Sequence, residues 1–184
     1  MIPRPLYPYE TWQAITSPPT LEVVPKRGWG GVFWNSHPTF IKSQWDRFAE
    51  LYEESQNQSL ESGEKRMLVR CVCVADTYEE AVESVRPGHD EFWKFLGPYG
   101  WSKGYMGPDG KPSKAGLIPT LEDSLEQKIW IVGSADDVGE QIEWYRDLLG
   151  VENLMLFPMM PGDSYESGTD QLHRLAEDVL PKFT

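Results

Sequence analysis

Thr16, Ser17 and Thr20 are the residues whose types and spacing could do chemistry on an anion. They lie in Thr16-Ser17-Pro18-Pro19-Thr20. Before that turn comes a short apolar, β-prone run, Trp12 to Thr16, and after it Leu21 to Arg27, too short for more than two helical turns. Gly28 ends that segment, and Gly30 to Trp34 opens a second apolar run. Strand, turn, short helix, strand is the order of a parallel βαβ unit. Ser17 suits a helix N-cap, Pro18 the first helical position, and Thr20 falls at the third. Free backbone N–H groups and two hydroxyls at a helix start would suit a phosphate. The same residues read also as an ordinary capped helix start, which is the reading that spacing alone favours.

Other reactive side chains are few. Cys71 and Cys73 sit one residue apart in the apolar run Leu68 to Ala75. On a strand they point the same way, too close for an unstrained bridge. With no further Cys or His at ligand spacing, they read as buried free thiols in a reducing cytoplasm, and no metal is expected. His37 follows a strand end and reads as a capping residue, although it could approach a pocket there. His89, after Pro87-Gly88, reads as exposed in a kink. His173, beside Arg174, reads as solvated. None of the three is assigned a catalytic role.

The elements that must position these groups follow from periodicity. Phe40, Ile41, Trp45, Phe48, Leu51 and Tyr52 fall at helical spacing. Met67 to Ala75 is apolar apart from Arg70, which suits a parallel strand covered on both faces. Thr77 and Glu80 have capping-box spacing before a helix through Leu96, with an interruption expected at Pro87-Gly88. Residues 98–128 form an insertion, Gly- and Pro-rich from Pro98 to Gly116, whose aromatics argue against plain disorder; a lid, a binding loop or a loosely packed surface excursion fits. Ser134 caps a helix that ends at Gly150. Val151 to Phe157 is a strand, and Leu172 to Leu180 a last amphipathic helix.

Composition narrows the class. A chain of 184 residues with 40% hydrophobic content fits one domain with a real core. A net charge of −12 argues against nucleic-acid partners. No apolar run approaches a membrane span, and Met1 to Glu10, an extended lead-in carrying three prolines, is not a signal peptide.

Several of these stretches resemble the bacterial luciferase-like flavin-dependent monooxygenases. Thr16-Ser17-x-x-Thr20-x-Glu22 followed by Arg27-Gly28 is similar to the segment after that family's fifth strand. Proline at position 25 departs from the small helix formers usual there. The proline-rich lead-in resembles the entry to the same strand. Gly133-Ser134-Ala135-Asp136-Asp137-Val138, Gly150-Val151-Glu152-Asn153 and Leu172 to Pro181 resemble the C-terminal signature, in order.

The resemblance covers nearly the whole chain and implies one partial barrel domain over residues 1–184. It would be the C-terminal half of a (β/α)8 TIM barrel, with four parallel strands, flanking helices and a lid-like insertion. It implies a flavin-dependent oxidoreductase using reduced FMN, or the deazaflavin F420 in some branches, on a small organic substrate. Ser17 and Thr20, with Thr16 beside them, would hold the flavin phosphate. Strand-end residues Thr16, Ser17, Trp34, Asn35, Ala75, Asp76, Phe157 and Pro158 would face the active end. Half a barrel leaves two open edges. The chain is therefore expected to pair with another copy or a partner chain, or to be part of a longer protein. A non-catalytic half-barrel subunit is the competing reading.

Overall fold

The computed structural model describes residues 6–113 and 117–183. The first five residues of the lead-in and residues 114–116 of the insertion lie outside the described residues. Among the described residues the sheet has five strands, all paired in parallel: β1 (Trp12–Ala14), β2 (Gly30–Trp34), β3 (Arg66–Val74), β4 (Ile131–Gly133) and β5 (Asn153–Phe157). Four match the expected strands. The additional β4 is only three residues long, too short for periodicity to register.

β3 is the hub. Its first half pairs with β2, from Gly31 opposite Arg66 to Trp34 opposite Val69. Met67 to Cys71 pair with β5, and Val72 to Val74 with β4. Beyond the β5 ladder the Gln171 side chain takes over: its amide oxygen accepts from Val74 N–H and its NH2 donates to Val74 O, both at 2.8 Å.

Helices cover both faces of this strand. Leu68, Val72 and Val74 join Phe33 in a core closed by α2 (Pro38–Gln56) and α5 (Ala135–Leu149). Cys71, Cys73 and Val132 face a second core under α3 (Tyr78–Leu96). Burial pushes the Cys71 thiol up to about 12 and that of Cys73 to about 11, so both stay protonated and unreactive at neutral pH.

α1 (Pro18–Lys26) starts where expected and keeps Pro25 inside it. The helix continues to Lys26, one residue past the proline, and its end closes with tighter i→i+3 bonds. Arg27 N–H donates to Val24 O and Gly28 N–H to Pro25 O. Gly28, at φ +68°, then turns the chain out of the helix.

Two expectations need correction. α3 runs unbroken through Pro87-Gly88, because Ala81, Val85, Phe92 and Trp93 on both sides of the proline bury into one core. His89 is accordingly not exposed in a kink but 0% exposed. Its Nε2 lies 2.8 Å from Ser124 Oγ, and its ring packs edge-on against Trp130.

The insertion is packed rather than loose. Two 3-10 turns, Gly97–Tyr99 and Trp101–Gly104, lead to a bridge between Met106 and Pro112 and to α4 (Leu121–Glu126). Tyr105 is buried, with its hydroxyl 2.7 Å from Ser124 Oγ. After β5, α6 (Tyr165–Arg174) continues into a π-helical turn, Leu175–Val179, and a final 3-10 turn, Leu180–Phe183.

Candidate functional site

A cleft of about 440 Å³ opens at the C-terminal ends of β1 and β2. Its volume falls within the usual range of cofactor and ligand sites. Ile15, Thr16, Ser17 and Pro18 form one wall, and Trp34, Asn35 and Ser36 form the floor. The Tyr99–Gly104 stretch of the insertion contributes the far side. Trp34 meets Trp101 edge-on across it, with ring centroids 5.3 Å apart.

Ser17 is extended, at φ −159°, and forms a reciprocal capping box with Thr20. Thr20 Oγ1 donates to Ser17 O at 2.8 Å and accepts from the backbone N–H groups of Thr16 and Ser17. One hydrogen and two lone pairs are thereby fully used. Ser17 Oγ accepts from Thr20 N–H at 3.4 Å and lies 3.3 Å from Thr20 Oγ1, so its own hydrogen can go to that oxygen or turn to a ligand.

The free backbone amides expected at this helix start are not there. Pro18 and Pro19 carry no N–H, Thr20 N–H goes to Ser17 Oγ, and Leu21 N–H goes to Ser17 O. The helix end therefore offers its dipole and one hydroxyl. Lys103, exposed on the opposite wall, adds a positive charge, and no ion pair to it is found among the described residues.

Of the strand-end residues anticipated to face the active end, Thr16, Ser17, Trp34 and Asn35 come together. Thr20 stands behind Ser17 rather than on the wall. Phe157 is 47% exposed and lies away from the cleft, as does Asp76, which pairs with Arg174 at 2.7 Å. Pro158 borders a separate small crevice with Cys73 and Gln171. His37 caps α2 through Nδ1, accepting from Thr39 N–H at 3.3 Å, and burial followed by Arg70 lowers its pKa.

Sequence reasoning did not single out Arg70, which is 0% exposed and has no carboxylate partner among the described residues. Its guanidinium donates to Tyr145 Oη (2.9 Å), Val69 O (3.2 Å) and Ser36 O (3.0 Å), so it braces the cleft floor from beneath. A lone arginine inside the apolar run Met67 to Ala75 was the available signal. Gly104 was also missed. A Cβ there would stand 2.3 Å from Ser36 Oγ and 2.8 Å from Asn35 O, so only glycine lets the insertion seat on the floor.

A parallel α/β sheet with a ligand-sized cleft at its strand ends is the architecture of the barrel enzymes and their relatives. The family profile for luciferase-like monooxygenases matches residues 1–152, and the chain belongs to that family. Among solved structures it is similar to the oxygenating constituent of 3,6-diketocamphane monooxygenase from the CAM plasmid of Pseudomonas putida, described as a type II Baeyer-Villiger monooxygenase in complex with FMN. That match has 20% identity and a TM-score of 0.71, covering 93% of this chain and 47% of the other. The monooxygenase RslO1 from Streptomyces bottropensis matches at 15% identity and TM-score 0.68, over 95% and 48%. The coenzyme F420-dependent tetrahydromethanopterin reductase from Methanopyrus kandleri matches at 16% and 0.59, over 94% and 50%. No curated protein sequence matches. The chain spans about half the length of these structures, as half a barrel would.

Proposed function

We propose that this chain is the flavin-phosphate half of a luciferase-like barrel, acting with reduced FMN, or with F420, in the oxidation of a small organic substrate. The observation that carries this reading is the cleft itself. It has ligand-sized volume, aromatic walls, a Ser17 hydroxyl at a helix start whose hydrogen has only a long 3.3 Å contact to Thr20 Oγ1, and Lys103 opposite. These residues fit a phosphate-bearing planar cofactor. Ser17 Oγ–H would donate to the phosphate, Thr20 would hold Ser17 in place beside Thr16, and Lys103 would balance the charge. Trp34 and Trp101 would exclude water from the ring. Reduced flavin, when bound, supplies the electrons.

A second reading has its own support: among the described residues the cleft lining contains no carboxylate, histidine or cysteine. The remaining acid–base groups would then come from the other half of the barrel, on a partner chain, a second copy or a longer protein. This chain alone would bind without turnover.

The test compares FMN with riboflavin, which lacks the phosphate. Ser17→Gly keeps an acceptable N-cap while removing the hydroxyl. It should weaken FMN binding by about 1–3 kcal/mol and leave riboflavin binding unchanged, read by titration of flavin fluorescence. Equal FMN affinity in the variant would sink the phosphate assignment. Purified wild-type chain that binds FMN yet stays inert with every candidate partner would favour the binding-only reading.

A further inference from the structure

Asn35 ends β2 in the left-handed region, at φ +46°. The residue is only 2% exposed, and neither its amide nitrogen nor its amide oxygen has a hydrogen-bond partner among the described residues. Trp34 Nε1, one residue earlier, is buried and unpartnered as well. Both residues line the cleft. Native proteins satisfy nearly all buried polar groups, so three open atoms on two successive cleft residues call for an account. The other unpartnered indoles, Trp45, Trp93 and Trp130, are fully buried in the core and absent from the cleft lining.

We infer that the Trp34–Asn35 corner recognises a carbonyl with an adjacent N–H, the edge of an amide or imide. A carboxamide presents one acceptor beside two donors and is complementary to such an edge, and the indole N–H adds a donor. No charged side chain is bonded to either residue's polar atoms, which suits a neutral group over an ion. The 3-10 turn Trp101–Gly104 covers the corner, held by His37 N–H donating to Gly104 O at 2.7 Å, and ligand reaches the amide when that turn lifts. This assignment rests on the cleft being the ligand site proposed above, and it adds the chemistry of its floor. The imide edge of a flavin ring and an amide-bearing organic substrate are two sources of the same group.

The test follows the side-chain amide signal of Asn35 by 15N NMR, assigned through its loss in Asn35→Gly. Riboflavin, FMN and glutarimide are added in turn. A shift with riboflavin and FMN identifies the flavin ring, and a shift with glutarimide alone identifies an amide-type substrate; either supports the corner. Asn35→Gly should weaken binding of the active compound about tenfold or more, since it removes the hydrogen-bonding group. It should also raise the melting temperature, because glycine suits this backbone and leaves no buried amide open. If none of the three compounds moves the signal, or if Asn35→Gly lowers the melting temperature with binding intact, Asn35 is structural and the inference fails. Ser17→Gly separates the two readings: it acts on FMN alone, whereas loss of the Asn35 amide acts equally on riboflavin where the ring fills the corner, and on glutarimide alone where a substrate does.

Discussion

Ser17 and Thr20 divide the work at the start of α1. Thr20 Oγ1 is saturated by Ser17 O and by the N–H groups of Thr16 and Ser17, so it organises the turn and has nothing left for a ligand. Ser17 holds its hydrogen only in a 3.3 Å contact with Thr20 Oγ1, which a better acceptor can replace. Thr20→Val, which preserves shape and removes the hydroxyl, should therefore lower stability by about 1 kcal/mol, measured by urea denaturation. An unchanged midpoint would show that the capping box does not hold the turn. The role of Thr20 as a cap was legible in the sequence from its spacing to Ser17. The absence of free amides was legible too, since two successive prolines remove two donors. What the sequence could not show was which hydroxyl still had a hydrogen to give, because that depends on neighbours' backbone atoms within about 3 Å. Asn35 was recognisable only as a strand-end residue; its unpartnered amide emerges once the insertion folds over it.

At the level of elements, the insertion is fastened to α3 through one buried polar cluster. Tyr105 Oη and His89 Nε2 both lie within hydrogen-bond distance of Ser124 Oγ, and His89 Nδ1 lies 3.3 Å from Asp90. Burial pushes the His89 pKa below 6.5, outweighing Asp90, which pulls it up. The unfolded chain thus takes up a proton that the folded chain resists. The contribution is complete above about pH 6.5 and is lost as the pH falls from there toward the folded value. Wild-type melting temperature should fall between roughly pH 7 and 5, and His89→Gln should flatten that slope. Parallel profiles in the two proteins would remove His89 from the account. Its burial escaped the sequence because Pro87-Gly88 looks like a break. The helix tolerates both residues because Phe92 and Trp93 on one side and Ala81 and Val85 on the other share a single core. The lengths of α2 and α5 were readable for the opposite reason: their apolar stripes keep a clean helical period, and Gly150 marks a stop.

On the scale of the whole molecule, the sheet is well covered around β3 and less so at its flank. Met155 and Phe157 of β5 are 45% and 47% exposed, and among the described residues β1 pairs only with β2 and β5 only with β3. Exposed apolar residues beside an open edge invite another strand. Sedimentation should show self-association of the purified chain at micromolar concentration or uptake of a complementing half, and Met155→Lys with Phe157→Lys should suppress it. A monomer indifferent to both substitutions would count against completion across this flank. The order of strands and helices was readable from alternating apolar runs, and the signature stretches placed them in the family. β4 was not, since three residues pair with the far end of β3 only because the insertion brings them there.

The edge-on pair Trp34 and Trp101 also gives the protein a built-in optical gauge. Indoles this close perturb each other's ultraviolet absorption and circular dichroism, and one of them rides on the segment that covers the cleft. Any displacement of that segment would register in the near-ultraviolet spectrum of the unlabelled protein, before a substrate is known.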